Sequence, residues 1–189
     1  MMKKKESTLA NMLVILLLIT LAAGISLGYV NELTQGPKAA ARLAKKVNAL
    51  KSVLPEFDND PVSEAMRVPA DLAGDSIDLY PAYAGEKYVG MAVTGSSERG
   101  YSGTVRLLAG FDPDGSIRHI AVLEQKETPG LGTKMKSDRF LSQFRGKDPG
   151  QFDLRVEKDG GSVDALAGAT ISTRAFSEAV QQAYDTFMQ

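Results

Sequence analysis

Two segments of the chain carry residue types that neither core packing nor an ordinary loop requires. The first is Asp164-Ala165-Leu166-Ala167-Gly168-Ala169-Thr170-Ile171-Ser172-Thr173, a run of small residues and hydroxyls that leads into a helical pattern. A helix start exposes unpaired N–H groups and a partial positive charge, so an anion is stabilised there without any basic side chain. Gly168 and Ala169 leave the backbone open to a bulky group, and Thr170 offers a hydroxyl beside them. A plainer reading of the same residues has Ser172 or Thr173 capping the helix and nothing more. The second segment is Glu127-Thr128-Pro129-Gly130-Leu131-Gly132-Thr133-Lys134. Proline and two glycines impose a non-helical backbone and hold Leu131 in a turn, where a leucine can lie against a flat ligand. A tight strand-to-helix connection with Lys134 in solvent accounts for the segment as well.

The rest of the composition narrows the chemistry. The 189 residues include no cysteine and one histidine, and 22 basic side chains face 23 acidic ones for a net charge of -1. Disulfides, thiolate zinc sites, protein-held iron–sulfur clusters and multi-histidine metal sites are therefore excluded, and no metal site is expected. Redox chemistry in this chain requires a borrowed cofactor. The balanced charge argues against nucleic acid as a partner.

Several elements must position these segments. Ser7 to Asn31 holds no charged residue, and Leu9 to Val30 is dominated by Leu, Ile, Ala, Val and Met. About 20 helical residues cross a ~30 Å hydrocarbon core, so 9–30 is expected to be a membrane helix. The alternative is a cleaved secretory signal, with Lys3, Lys4 and Lys5 as its basic start and Ala22-Ala23-Gly24 at the cleavage point; the apolar run exceeds the usual ~7–15 residues and favours the anchor. Basic residues flank both ends, so charge alone barely sets the orientation. After Gly36-Pro37, Leu43, Val47, Leu50, Val53 and Leu54 recur at helical spacing, which predicts a separate juxtamembrane helix ending before Pro55. Glu56 to Ala73 reads as a loop-rich connection. Ile77 to Ala84 and Tyr88 to Thr94 are expected to form one hairpin, and Gly103 to Phe111 and Ser116 to Leu123 a second across Asp112-Pro113-Asp114-Gly115. Helices are expected from Ser137 or Asp138, burying Phe140, Leu141 and Phe144, and from about Ser172 to Met188 with Phe176, Val180, Tyr184 and Phe187 inward. The fold class is α+β, a twisted antiparallel sheet with flanking helices after one N-terminal transmembrane helix. The expected divisions are a cytoplasmic tail over 1–8, the span over 9–30, a juxtamembrane helix and linker over 31–73, and a ligand-binding domain over 74–189.

Taken together, the two segments resemble the FMN-binding domain found in the G subunit of Rnf/Rsx electron-transport complexes and in the C subunit of the sodium-pumping NADH:quinone reductase. In that family a threonine in an Asp-x-x-(Ser/Thr)-Gly-Ala-Thr context carries FMN through a phosphoester bond, and Thr170 occupies that position here. Asp164, Gly168 and Ala169 match the motif, and Glu127 to Gly132 is similar to the family's Glu-Thr-Pro-Gly-Leu-Gly signature. Gly100-Tyr101-Ser102-Gly103 and Asp112 to Gly115 also fall where Rnf-type members carry similar segments. The chain departs at Ala167, where the family most often has Ser or Thr, which removes one hydrogen bond to the phosphate or to the attaching enzyme. Gln125 stands where Rnf-type relatives frequently have histidine.

The resemblance implies covalent FMN on Thr170, with Asp164 helping recognition or metal placement and Glu127, Thr128, Gly130, Leu131 and Gly132 lining the isoalloxazine beside Gly168 and Ala169. An unactivated threonine is a poor nucleophile, and the family uses a separate flavin transferase with FAD as donor and magnesium. The implied role is electron transfer within an ion-translocating ferredoxin:NAD oxidoreductase complex. Its partners are the other subunits, with no catalytic residue and no complete activity in this chain alone. The implied location is the bacterial inner membrane, with the soluble domain on the periplasmic face. The alternatives are a flavin subunit of another membrane redox chain and a non-redox, membrane-tethered binding module.

Overall fold

Two short turns set the sheet. Gly85, at φ +61°, and Glu86 separate β2 (Ser76–Ala84) from β3 (Lys87–Ser97), the two-residue spacing that joins adjacent antiparallel strands. Asp112-Pro113-Asp114-Gly115 turns β4 (Val105–Phe111) into β5 (Ile117–Glu124), and the Gly115 N–H donates to the Asp112 carbonyl at 2.9 Å. In the computed structural model, which describes residues 8–69 and 76–189, these strands and β1 (Met66–Pro69) form one antiparallel sheet in the order β1-β2-β3-β4-β5. Both expected hairpins are present. The β1 strand lies inside the stretch expected to be loop; Pro61 and Pro69 hid it, and a proline at the end of an edge strand costs no ladder bond. Lys3, Lys4, Lys5 and the expected domain start at residue 74 lie outside the described residues.

The described chain also holds three α-helices: α1 (Leu9–Val53), α2 (Asp138–Leu141) and α3 (Thr170–Phe187). A separate juxtamembrane helix after Gly36-Pro37 is not found, because α1 continues through Pro37. Proline removes one helical hydrogen bond, and strong helix formers on either side, among them Ala39, Ala40 and Ala41, absorb the loss. The apolar part of α1 is exposed, and by length and composition it is sufficient to cross a membrane. The chain divides into two compact units, one ending at Ala44 and one spanning Lys45–Gln189.

In the second unit the sheet is buried on both faces. On one, Val93, Leu107, Ala109 and Phe111 meet Phe140, Phe144, Phe176, Ala179 and Val180. On the other, Tyr80, Ala92 and Leu108 meet Leu50, Val53 and Leu54 at the end of α1. Glycine makes the close approach possible on each side. A Cβ at Gly95 would stand 1.9 Å from the Ala179 carbonyl oxygen, and one at Gly110 would stand 2.1 Å from that of Val53. At the sheet edge Asp78 accepts from Arg67 Nε at 2.9 Å, Tyr80 Oη at 2.9 Å and Lys46 Nζ at 3.3 Å. Burial pushes the Asp78 carboxyl up, but these three partners hold it below the usual carboxylate range.

Candidate functional site

The last helix begins two residues earlier than its sequence pattern suggests. Ala169 is the residue before α3, no side chain caps its first turn, and Thr170 opens the helix half-buried. Ser172 and Thr173 are therefore inside the first turn and buried, not at its cap. Thr173 Oγ1 donates to the Ala169 carbonyl at 3.0 Å and accepts from the Leu166 N–H at 3.1 Å, which staples the preceding loop to the helix. Gly168 sits at φ +74°, a left-handed conformation that glycine adopts without cost. The orphan N–H groups of Thr170 and its neighbours thus remain for an anion. Arg174, one turn on, is committed to Asp159 through bonds of 2.7 and 2.8 Å.

The Glu127–Gly132 segment folds over this start. Leu131 and Thr133 N–H groups donate to the Thr128 carbonyl, and Gly130 N–H donates to Thr133 Oγ1 at 3.0 Å. This winds the turn into a short 3-10 helix, Gly132–Lys136. Leu131 remains 42% exposed, and its Cδ2 lies 3.4 Å from where a Gly168 Cβ would stand. Thr128, Pro129 and Gly130 are exposed beside it, whereas Gly132 and Glu127 are buried. The Glu127 carboxylate is turned inward, accepting from Ser172 Oγ at 2.8 Å and from the Ser102 N–H at 3.3 Å. That brings in the Gly100–Gly103 loop, whose Tyr101 is 69% exposed.

Asp164 is exposed, and its backbone is held by Gln143, whose Oε1 accepts the Asp164 N–H at 2.8 Å. Gly168 and Ala169 directly precede Thr170. Ser172 and Thr173 support the helix start from inside α3, and the sequence pattern signals such a role. Ser172 falls four residues before Phe176 on the inward stripe of α3, and a hydroxyl on an apolar stripe requires a buried partner. A cavity of about 950 Å3 opens beside α3, lined by Val156, Ile171, Arg174 and Ser177 among others, and neither Thr170 nor the Glu127–Gly132 turn lines it.

The described residues fit a flavin nucleotide. An uncapped helix start suits its phosphate, a hydroxyl stands at that start, and exposed Leu131 and Tyr101 offer apolar surface. Residues 100–185 match the family model of the FMN-binding domain, which gives FMN as the cofactor class of this domain. The chain is 35% identical over 167 residues to the G subunit of the ion-translocating oxidoreductase complex of Cereibacter sphaeroides, covering 84% of this chain and 74% of that protein. It is 36% identical over 163 residues to the protein of the same name from Yersinia pestis, covering 82% and 78%. The crystal structure of Shewanella oneidensis NqrC aligns with a TM-score of 0.47 at 22% identity, over 70% of this chain and 69% of that one. The chain belongs to the family of ion-translocating oxidoreductase complex G subunits.

Proposed function

We propose that this chain is the membrane-anchored FMN subunit of an Rnf-type ion-translocating ferredoxin:NAD oxidoreductase, and that FMN is held by a phosphoester bond to Thr170. The observation that carries the reading is the position of Thr170, half-exposed at an uncapped helix start beside Gly168 and Leu131, within the residues that match the FMN-binding family. In this reading residues 1–8 are cytoplasmic, 9–30 cross the inner membrane, 31–73 form the juxtamembrane segment, and 74–189 hold the cofactor on the periplasmic face.

Attachment is a transfer from FAD performed by a separate flavin transferase with magnesium. The Thr170 oxygen loses its proton and bonds to the flavin-side phosphorus, the diphosphate P–O bond breaks, and AMP leaves with the proton. Asp164, exposed on the approach to Thr170, suits recognition by that enzyme. When bound, FMN supplies the electron-transfer chemistry; the protein contributes position, apolar surface and electrostatics. The helix N–H groups would hold the phosphate, and Leu131 would present a surface to the ring system. Electron donors and acceptors are other subunits of the complex, and the chain alone completes no reaction.

Thr170→Ala, expressed beside the transferase, is expected to retain its far-UV circular dichroism and lose flavin fluorescence on a denaturing gel, where only a covalent cofactor stays with the chain. A fluorescent Thr170→Ala band, or a colourless parent protein from a host that has the transferase, would overturn the assignment.

A further inference from the structure

Glu127 has the wrong orientation for a ligand-lining side chain. It is 5% exposed, and its carboxylate gathers the Gly100–Gly103 loop through Ser102 and the first turn of α3 through Ser172. The backbone is shaped around this contact. A Cβ at Gly132 would stand 2.7 Å from Ser172 Oγ and 2.9 Å from Glu127 Oε2, and one at Gly100 would stand 2.7 Å from Glu127 Oε1. Both sites therefore exclude larger residues while the carboxylate keeps its place.

We propose that Glu127 and Ser172 are positioning residues forming a buried clamp, which fixes the helix start carrying Thr170 against the turn that presents Leu131. The inference rests on reading Thr170 as the attachment site and reassigns Glu127: it does not touch the flavin but acts through Ser172, two residues after Thr170. The physical ground is that a buried carboxylate stays inward only while hydrogen-bond donors meet it. Removing the Ser172 hydroxyl leaves the longer Ser102 contact alone, so the turn opens to let water reach the carboxylate. The attachment hydroxyl is untouched, and the tethered ring loses its fixed surface.

The test compares Ser172→Ala and Glu127→Gln in the full chain, produced with the transferase. Denaturing-gel fluorescence reads attachment, native flavin anisotropy reads how firmly the ring is held, and amide hydrogen exchange reads local opening. Exchange is also measured with each substitution added to the flavin-free Thr170→Ala chain. Ser172→Ala is expected to keep the gel fluorescence and lower the anisotropy. It should also speed exchange about five-fold over 100–103 and 127–136, the factor one hydrogen bond is worth, with β3 and β4 unchanged. Glu127→Gln keeps both contacts, its Oε1 accepting the Ser102 N–H and its Nε2 donating to the Ser172 hydroxyl, and is expected to leave both readouts near the parent. The clamp is refuted if Ser172→Ala leaves anisotropy and exchange unaltered, if exchange rises evenly through β3 and β4, or if Glu127→Gln is as damaging as Ser172→Ala. A colourless parent chain refutes the Thr170 reading instead, while exchange in the Thr170→Ala background still decides the clamp.

Discussion

His119 accepts a hydrogen bond at Nδ1 from Arg145 Nε at 3.2 Å, and Arg145 is paired in turn with Asp138. Only an unprotonated ring nitrogen can accept, so the contact belongs to neutral histidine. Burial first, and then the positive charge of Arg145, hold the ring below the usual histidine range, with Asp138 pulling weakly the other way. The folded protein thus binds its proton at lower pH than the unfolded chain does. Stability from this group is complete above the unfolded value and is lost as pH falls through that value toward the folded one. Thermal melts between about pH 7.5 and about pH 5.5 should show the parent losing more stability than His119→Gln; parallel curves would remove the effect. At this scale the candidate site was legible where residue type is rare for its context. Thr170, Gly168 and Leu131 stand out in the sequence; Leu131 lies against Gly168, and Thr170 opens α3 two residues on. Glu127 was legible as a site residue but not in its orientation, because its partner Ser172 lies 45 positions away and no local pattern joins them.

Among the elements, α3 and β3 approach so closely that Gly95 has no space for a side chain. The obstruction is the Ala179 backbone carbonyl, which cannot rotate aside as a flexible side chain would. Gly95→Ala is therefore expected to cost about 2–3 kcal/mol, in the range of core overpacking, read as a lower urea midpoint; an unchanged midpoint would mean that helix and sheet slide apart freely. The hairpins were readable because Gly85-Glu86 and Asp112 to Gly115 carry their own turn chemistry. The start of α3 was misplaced by two residues because Ser and Thr usually announce a cap, whereas here Ala169 precedes the helix and both hydroxyls are occupied inside it. β1 was missed because four residues flanked by prolines carry little strand periodicity.

For the molecule as a whole, the boundary at Ala44 and Lys45 separates an apolar, exposed helix from a unit with its own core. A chain beginning at Lys45 keeps Leu50, Val53 and Leu54 on the sheet face they cover, and is expected to be soluble with the melting midpoint of the full protein. One beginning at Pro55 strips that face and is expected to aggregate; if both behave alike under size-exclusion chromatography and melting, the end of α1 contributes no core. The membrane signal was plain in composition, but the two-sided burial of the sheet was not. Val105-Arg106-Leu107-Leu108-Ala109-Gly110-Phe111 is nearly all apolar, which alternation rules for a one-sided sheet do not anticipate. The continuity of α1 was hidden by Gly36-Pro37, a pair that ends most helices.

Pro37 also bears on immersion depth. Having no N–H, it deprives the Leu33 carbonyl of its helical donor. An acceptor without its donor belongs among water or lipid headgroups and not among acyl tails. For a membrane-spanning α1, the hydrocarbon slab is expected to end ahead of Leu33.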